Sequence, residues 1–351
     1  MLIALILFVA FGSAGCITVN KKTTTTPATQ GGFFISEDQG ETWTNKSLLM
    51  TPSGTPGNIA ETDVYVMRFD PSDNETMYAG TRADGLYYSY NGGAGWTKAK
   101  TLKPGFVRDI AIDSKNKCVL YAAVETTLYK SEDCARNWKS IWYSDAPDKK
   151  VAAIELDWYD PRIVYAGNTD GTMIKSEDGG VSWKVANAFK ARVNKIVVDP
   201  NDSRIVYVGV LTKGLYKSID KGVTWESLNK QMKDFTGSAN LYDFSVAKNK
   251  KNMIAYASKF GMLKSLDGGT TWSEVKLLSK VGTEEIFSMA VDQNNADYIY
   301  YGTDKAFYKS LDGGATWIVK KMPTTRVAGE LLIHPKTASK IFMGVKTLEQ
   351  K

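Results

Sequence analysis

The residues of this chain that could do chemistry are carboxylates. A pair of them suffices for glycoside hydrolysis, one acid protonating the leaving group while the other serves as base or nucleophile. Asp63, Asp109, Asp243 and Glu285 are the candidates, drawn from a wider set that adds Asp84, Asp170, Glu284 and Asp304. A solvated rim would be built from the same residues. Other classes are excluded. His334 is the one histidine in the sequence, so a Ser-His-Asp or Cys-His system has a single base to draw on. Zinc ligands are lacking and no phosphate-cradling strand–loop–helix is spelled out, so neither metal nor cofactor is expected. The net charge of +6 comes from scattered lysines, without the basic–aromatic stripe of a nucleic-acid binder.

These acids must be positioned by a repeated phrase, written most fully as Ser310-Leu-Asp312-Gly-Gly314-Ala-Thr316-Trp317. Copies start at Ser36, Ser89, Ser131, Ser176, Ser218, Ser265 and Ser310, and they use seven of the nine tryptophans. Two are worn: Asn91 replaces the acid in one, and the glycine is lost beside Asp133 in another. An apolar, aromatic-rich run precedes each copy and another follows its Trp, which reads as strand, turn, strand. Asp and Ser side chains bond backbone N–H groups inside a tight turn, and Gly supplies positive φ. The Trp ring opens the outgoing strand, placed to wedge against neighbouring structure.

A period of about 40–50 residues points to a propeller or solenoid. Each unit also carries a Tyr on a Val-Tyr-Ala-Gly-like strand (Tyr78, Tyr121, Tyr165, Tyr207, Tyr256, Tyr300, with Phe342 last). A turn residue stands eight places upstream: Asp70, Asp113, Asp157, Asp199, Lys248, Asp292 and His334. A constant offset means strand, short turn, strand, and hence four strands per unit. Four-stranded units repeated seven times are blades of a β-propeller. The first box supplies only two outer strands and the C-terminal end only two inner ones. The expected fold is therefore an all-β, single seven-bladed propeller over residues 33–347, its ring closed by N- and C-terminal strands sharing one blade.

The phrase resembles the Asp-box, or BNR repeat, of sialidases, xyloglucanases, sortilin and photosystem II assembly-factor propellers. That resemblance implies a fold-stabilising hairpin, away from any ligand face, for Asp38, Trp43, Asn91, Trp96, Asp133, Trp138, Asp178, Trp183, Asp220, Trp225, Asp267, Trp272, Asp312 and Trp317. The sialidase Arg-Ile-Pro motif is missing. The xyloglucanases are similar in the phrasing Gly-Leu-Tyr-Lys-Ser, but join two propellers around a cleft. The fullest similarity is to photosystem II assembly-factor-like bacterial lipoproteins, which implies a non-catalytic, monomeric platform for a protein partner or surface glycan. The Arg-rich patch of that family would correspond here to Arg82, Arg108, Arg192 and Arg326, with Lys213 and Phe260 beside them, on the face opposite the boxes. Lys149, Lys150 and Lys190 add charge there. Trp142, Tyr143, Phe189 and Phe235 are expected as further exposed aromatics, and the mostly short loops favour a shallow surface.

Residues 1–15 are apolar and end in small residues before Cys16, the pattern of a secretory signal and too short for a spanning helix. Ser13-Ala14-Gly15-Cys16 resembles a bacterial lipobox, departing from it at Ser13 and in having no Lys or Arg ahead. Lipidation of Cys16 would make the protein a membrane-anchored, extracytoplasmic lipoprotein; plain cleavage would make it secreted. The Thr/Pro/Gly-rich residues 17–32 read as a tether. Cys118 and Cys134 fall at the same edge of neighbouring strands, where either a disulfide or two separate thiols can be accommodated.

Overall fold

The structure is a computed structural model that describes residues 30–348. Cys16 and most of the tether lie outside the described residues. Seven four-stranded antiparallel sheets stand around a common axis, and a separate two-stranded sheet, Leu48–Leu49 with Gly57–Asn58, lies in the first long loop. The inner strands of blades 1 to 6 are Val64–Asp70, Val107–Ile112, Val151–Leu156, Val193–Val198, Leu241–Val246 and Ser288–Val291. Blade 7 is built from both ends of the chain in the order Thr44–Asn45, Gly32–Ser36, Ile341–Lys346, Val327–Ile333. Its closing register pairs Phe34 with Met343 and Ile35 with Phe342. Closure leaves only short inner edges, turned towards the axis and screened from a foreign strand.

The repeated turns explain why each blade ends as it does. In the turn at Ser218, the Ser218 hydroxyl donates to Asp220 Oδ1 at 2.7 Å and accepts the Gly222 N–H at 2.8 Å. Asp220 then accepts the Thr224 N–H and hydroxyl at 2.8 and 2.6 Å. The same bonds recur at Ser36, Ser176, Ser265 and Ser310. Asn91 substitutes competently, its Oδ1 accepting from the Gly95 N–H at 3.0 Å.

Four of the turns are also clamped by the preceding blade. Tyr121 donates to Gly179 O, Tyr165 to Lys221 O, Lys217 to Gly268 O, and Lys264 to Gly313 O. Between blades, apolar faces interlock: Trp96 of blade 1 is buried, stacks on Phe33 of blade 7 at 3.9 Å, and donates to Lys46 O.

Two sequence expectations shift. In blade 5 the residue opposite Lys264 in the ladder is Ala255, whereas Lys217 faces Tyr207 and Lys175 faces Tyr165. The turn residue whose N–H closes that hairpin is Ala247, to Met253 O. The fifth hairpin closes over the same span as Asp199 N–H to Ile205 O, so Ala247 is its turn residue and Tyr256 lies one place past the column; Lys248 stood out among acids because it is not in that column at all. His334 is buried rather than at the surface. Its Nδ1 accepts the N–H groups of Lys336 and Thr337 at 3.2 and 3.1 Å, the task Asp292 performs for Asn294 and Asn295. Burial, with Lys340 nearby, keeps its pKa below the usual imidazole value.

Candidate functional site

The inner strands carry a shared irregularity. In six blades the ladder between first and second strand skips one residue: Tyr65, Arg108, Ala152, Asn194, Tyr242 and Gly329. A bulge re-aims the skipped side chain. All six line one cavity of about 570 Å³, a funnel at the end of the axis opposite the Ser–Asp turns. At Gly329 an added Cβ would stand 2.3 Å from Val64 O, so only glycine permits that approach of blades 7 and 1.

Aromatic rings form part of the wall: Tyr65 packs edge-on against Phe106 at 4.4 Å, and Tyr242 and Phe287 face the same space. The Arg108 guanidinium lies 4.1 Å over the Phe106 ring and reaches Glu125 at 3.2 Å. Arg192, Lys195 and Lys346 add positive charge, and Glu285 is on the wall with them.

The floor is a set of charges buried on the axis. Arg68 binds Asp109 at 2.8 Å and Glu330 at 3.7 Å, and Lys195 binds Asp243 at 2.8 Å. Asp109 also accepts the N–H of Ile110 and, across the blade boundary, that of Ile154. Asp243 accepts the N–H of Phe244 and, across the next boundary, that of Met289. Below the floor is a second cavity of about 200 Å³, also lined by Arg68, Lys195 and Glu330.

Six charged side chains therefore meet on the axis, and the carboxylates Asp109, Glu155, Asp243 and Glu330 outnumber Arg68 and Lys195. Burial pushes Glu155 and Glu330 up to about 7, with Arg68 opposing the shift in each case. Their carboxyls keep some access to water because the bore is open, which tempers the effect. Burial works against the charge of Arg68, but Asp109 and Glu330 outweigh it and hold the guanidinium protonated.

Of the four acids singled out by sequence, Asp109, Asp243 and Glu285 reach the funnel. Asp63 does not; it accepts from Arg326 at 3.0 Å and from the Thr347 N–H at 2.7 Å, tying blade 7 to blade 1. Of the proposed cationic patch, Arg108 and Arg192 line the funnel. Arg326 is spent on Asp63 and Glu61. Arg82 donates its N–H to Asp63 O, and the Lys213 carbonyl accepts from Asn229; neither residue is on the funnel wall.

Phe260 is half-buried against Phe235 at 5.1 Å and borders a separate small cleft with Leu277 and Val281. Phe189 is buried and packs on Trp225, while Tyr143 is exposed as expected. Arg68, Glu155, Lys195 and Glu330 were missed. Their signal was available: charged residues inside otherwise apolar inner strands such as Val-Tyr-Val-Met-Arg68-Phe.

No model of a known protein family matches the chain. A xyloglucanase of Acetivibrio thermocellus is 28% identical over 158 residues, which is 44% of this chain and 16% of that protein. Among solved structures, a GH74 enzyme of Niastella koreensis superposes with a TM-score of 0.65 at 17% identity, covering 81% of this chain and 51% of that one. YCF48 bound to a D1 peptide superposes with a TM-score of 0.61 at 13% identity, covering 82% of this chain and 94% of that one. The extracellular domain of a putative one-component system from B. thetaiotaomicron gives 0.61 at 14% identity, over 83% of this chain and 42% of that one. The chain thus spans about half the length of the GH74 structure and a smaller part of the curated xyloglucanase. At these identities the likeness establishes a shared fold, the seven-bladed propeller.

Proposed function

We propose that this chain is a non-catalytic, extracytoplasmic binding propeller whose axial funnel receives an extended peptide segment of a protein partner. The observation that carries the reading is the employment of the funnel carboxylates. Asp109 and Asp243 each hold a cation and two backbone N–H groups, which commits both carboxylates to bonds between the blades and leaves neither free to turn onto a substrate. A wall of alternating aromatic rings and guanidinium or ammonium groups suits a peptide carrying acidic and apolar side chains. The likeness to a propeller solved with a peptide supports the same reading, and the extracellular and xyloglucanase neighbours support an extracytoplasmic setting. Lipidation at Cys16 would hold the propeller at a membrane.

One observation favours a second reading. Aromatic rings beside Glu285 also suit a glycan, and the xyloglucanase likeness extends over 158 residues. The two are separated by presenting the purified protein with a peptide array and with xyloglucan oligosaccharides, and assaying reducing-end release. Saturable peptide binding that is lost in Arg108→Ala, without sugar release, is expected. Release of reducing ends that disappears in Glu285→Gln would overturn the non-catalytic reading.

A further inference from the structure

The Ser–Asp turns have two positions that take no part in the turn's recurring hydrogen bonds through their side chains: the residue after the Ser and the residue before the Thr. Both point into solvent, so their identity reports what the face meets. On the arc of blades 7 and 2 they are acidic, with Glu37, Glu41 and Glu132, while Glu177, paired with Lys175 at 2.8 Å, shares the blade 3 tip with Val181. On the other arc they are aliphatic and bare: Val181 is 84% exposed, Ile219 67%, Val223 70%, Leu266 55% and Leu311 38%. These five stand on four consecutive hairpin tips, those of blades 3 to 6, with Ile219 and Val223 sharing the tip of blade 4.

Beside them is a block of positive charge. The fifth hairpin places Lys248, Lys250 and Lys251 in solvent, and its Asn252 carbonyl accepts the Gly268 N–H of the turn that bears Leu266. The lysines and the aliphatic tips therefore share one face, remote from the funnel.

We propose that this arc docks on the surface of an anionic lipid bilayer. The side chains argue for lipid over protein. Protein hot spots are built from Trp, Tyr and Arg set around a pocket, with Leu and Val under-represented. Here Val, Ile and Leu side chains stand one or two to a tip on four separate tips, and they line none of the three cavities. Separate tips can each enter a fluid interface without needing a complementary shape, and lysines beside them gain from anionic headgroups. The glutamates at the equivalent positions of blades 2 and 7 would be repelled by the same surface, so the disc would sit tilted on blades 3 to 6. In that attitude the funnel opens away from the membrane.

The test uses the full chain and sedimentation with extruded vesicles of phosphatidylcholine, with or without about 30% phosphatidylglycerol. The apolar stretch at residues 1–15 is common to every variant, so the comparison is between variants. Association of the wild type is expected to strengthen with phosphatidylglycerol. It should weaken about tenfold in Ile219→Ser/Val223→Ser/Leu266→Ser and in Lys248→Gln/Lys250→Gln/Lys251→Gln. Glu132→Ser on the opposite arc should leave it no weaker. Thermal melting confirms that these surface variants remain folded. Hydrogen exchange should show protection of the turns near residues 219–223 and 266–270 on vesicles. Equal sedimentation of wild type and tip variant, indifference to phosphatidylglycerol, or protection at the funnel instead would overturn the proposal. So would tip-dependent capture of a membrane protein in detergent while vesicle binding ignores the tips.

Discussion

Asp109 of blade 2 and Asp243 of blade 5 stand three blades apart at the same bulged position and do the same work. Each takes the N–H of its own successor, the N–H of an inner-strand residue in the following blade, and a cation from the preceding blade. Each carboxylate thus spans three blades at the point where the sheets converge. Removing it orphans a partly buried cation as well as two N–H groups. Asp109→Ala and Asp243→Ala are each expected to cost about 2–3 kcal/mol, since Arg68 and Lys195 are equally exposed at 27% and both keep some access to water. Denaturant unfolding checks this. A loss below about 1 kcal/mol for Asp109→Ala would show that the latch is not holding the blades.

The unmatched acids on the same axis give a pH dependence of opposite sign to the usual one. Glu155 and Glu330 titrate near 7 in the folded protein against 4.5 ordinarily, because burial disfavours their charged forms. Between those values the folded state binds more protons than the unfolded state, so stability falls as pH rises from about 4.5 through 7. Glu155→Gln or Glu330→Gln should flatten that slope, each by less than about 3 kcal/mol since water enters the bore. Unfolding midpoints at pH 5 and pH 8 measure it, and a wild-type slope unchanged in both variants would refute the assignment.

Much of the wheel was legible because its turns repeat chemically: Ser, Asp, Gly and Trp are each required by a specific bond or φ. What lay in the centre was less legible. Arg68 and Glu330 are neighbours only because blade 7 closes on blade 1, a contact between residues 262 positions apart that no local pattern encodes. The fifth hairpin misled the repeat alignment for a related reason. Tyr256 keeps the aromatic identity of the column while its side chain turns to donate to Ser238 O, so residue type and register part company there. Phe189 looked exposed from its place in a loop, yet it fills the space between Tyr216 and Trp225.

Cys118 and Cys134 bracket blade 2's worn turn, and the structure places their sulfurs in bonding contact, 16 residues apart in sequence. The Cys134 N–H also donates to Cys118 O at 3.0 Å. A cross-link over so short a loop is expected to contribute about 3 kcal/mol, mainly through the unfolded chain. Cys118→Ser/Cys134→Ser should lower the unfolding midpoint accordingly. Reductant should reproduce the loss in the wild type and do nothing to the double variant; a wild type indifferent to reductant would mean free thiols.

The turn aspartates set the acid limit of the fold. Asp38, Asp220, Asp267 and Asp312 are all held down to about 2, chiefly by the hydroxyl of the Thr four residues on and then by backbone and Ser donors. A depressed folded pKa means that stability is present above the ordinary value of 3.8 and drains away as pH falls towards 2. Asn91 shows that an amide fills the seat without titrating, since its Oδ1 still accepts the Ser89 hydroxyl and the Gly95 N–H. Asp220→Asn and Asp267→Asn together should therefore fold at neutral pH with a modest loss and keep more of their stability at pH 3 than the wild type does. Circular dichroism melts at pH 7 and pH 3 would decide it. An equal fractional loss in both proteins would mean that acid acts elsewhere in the fold.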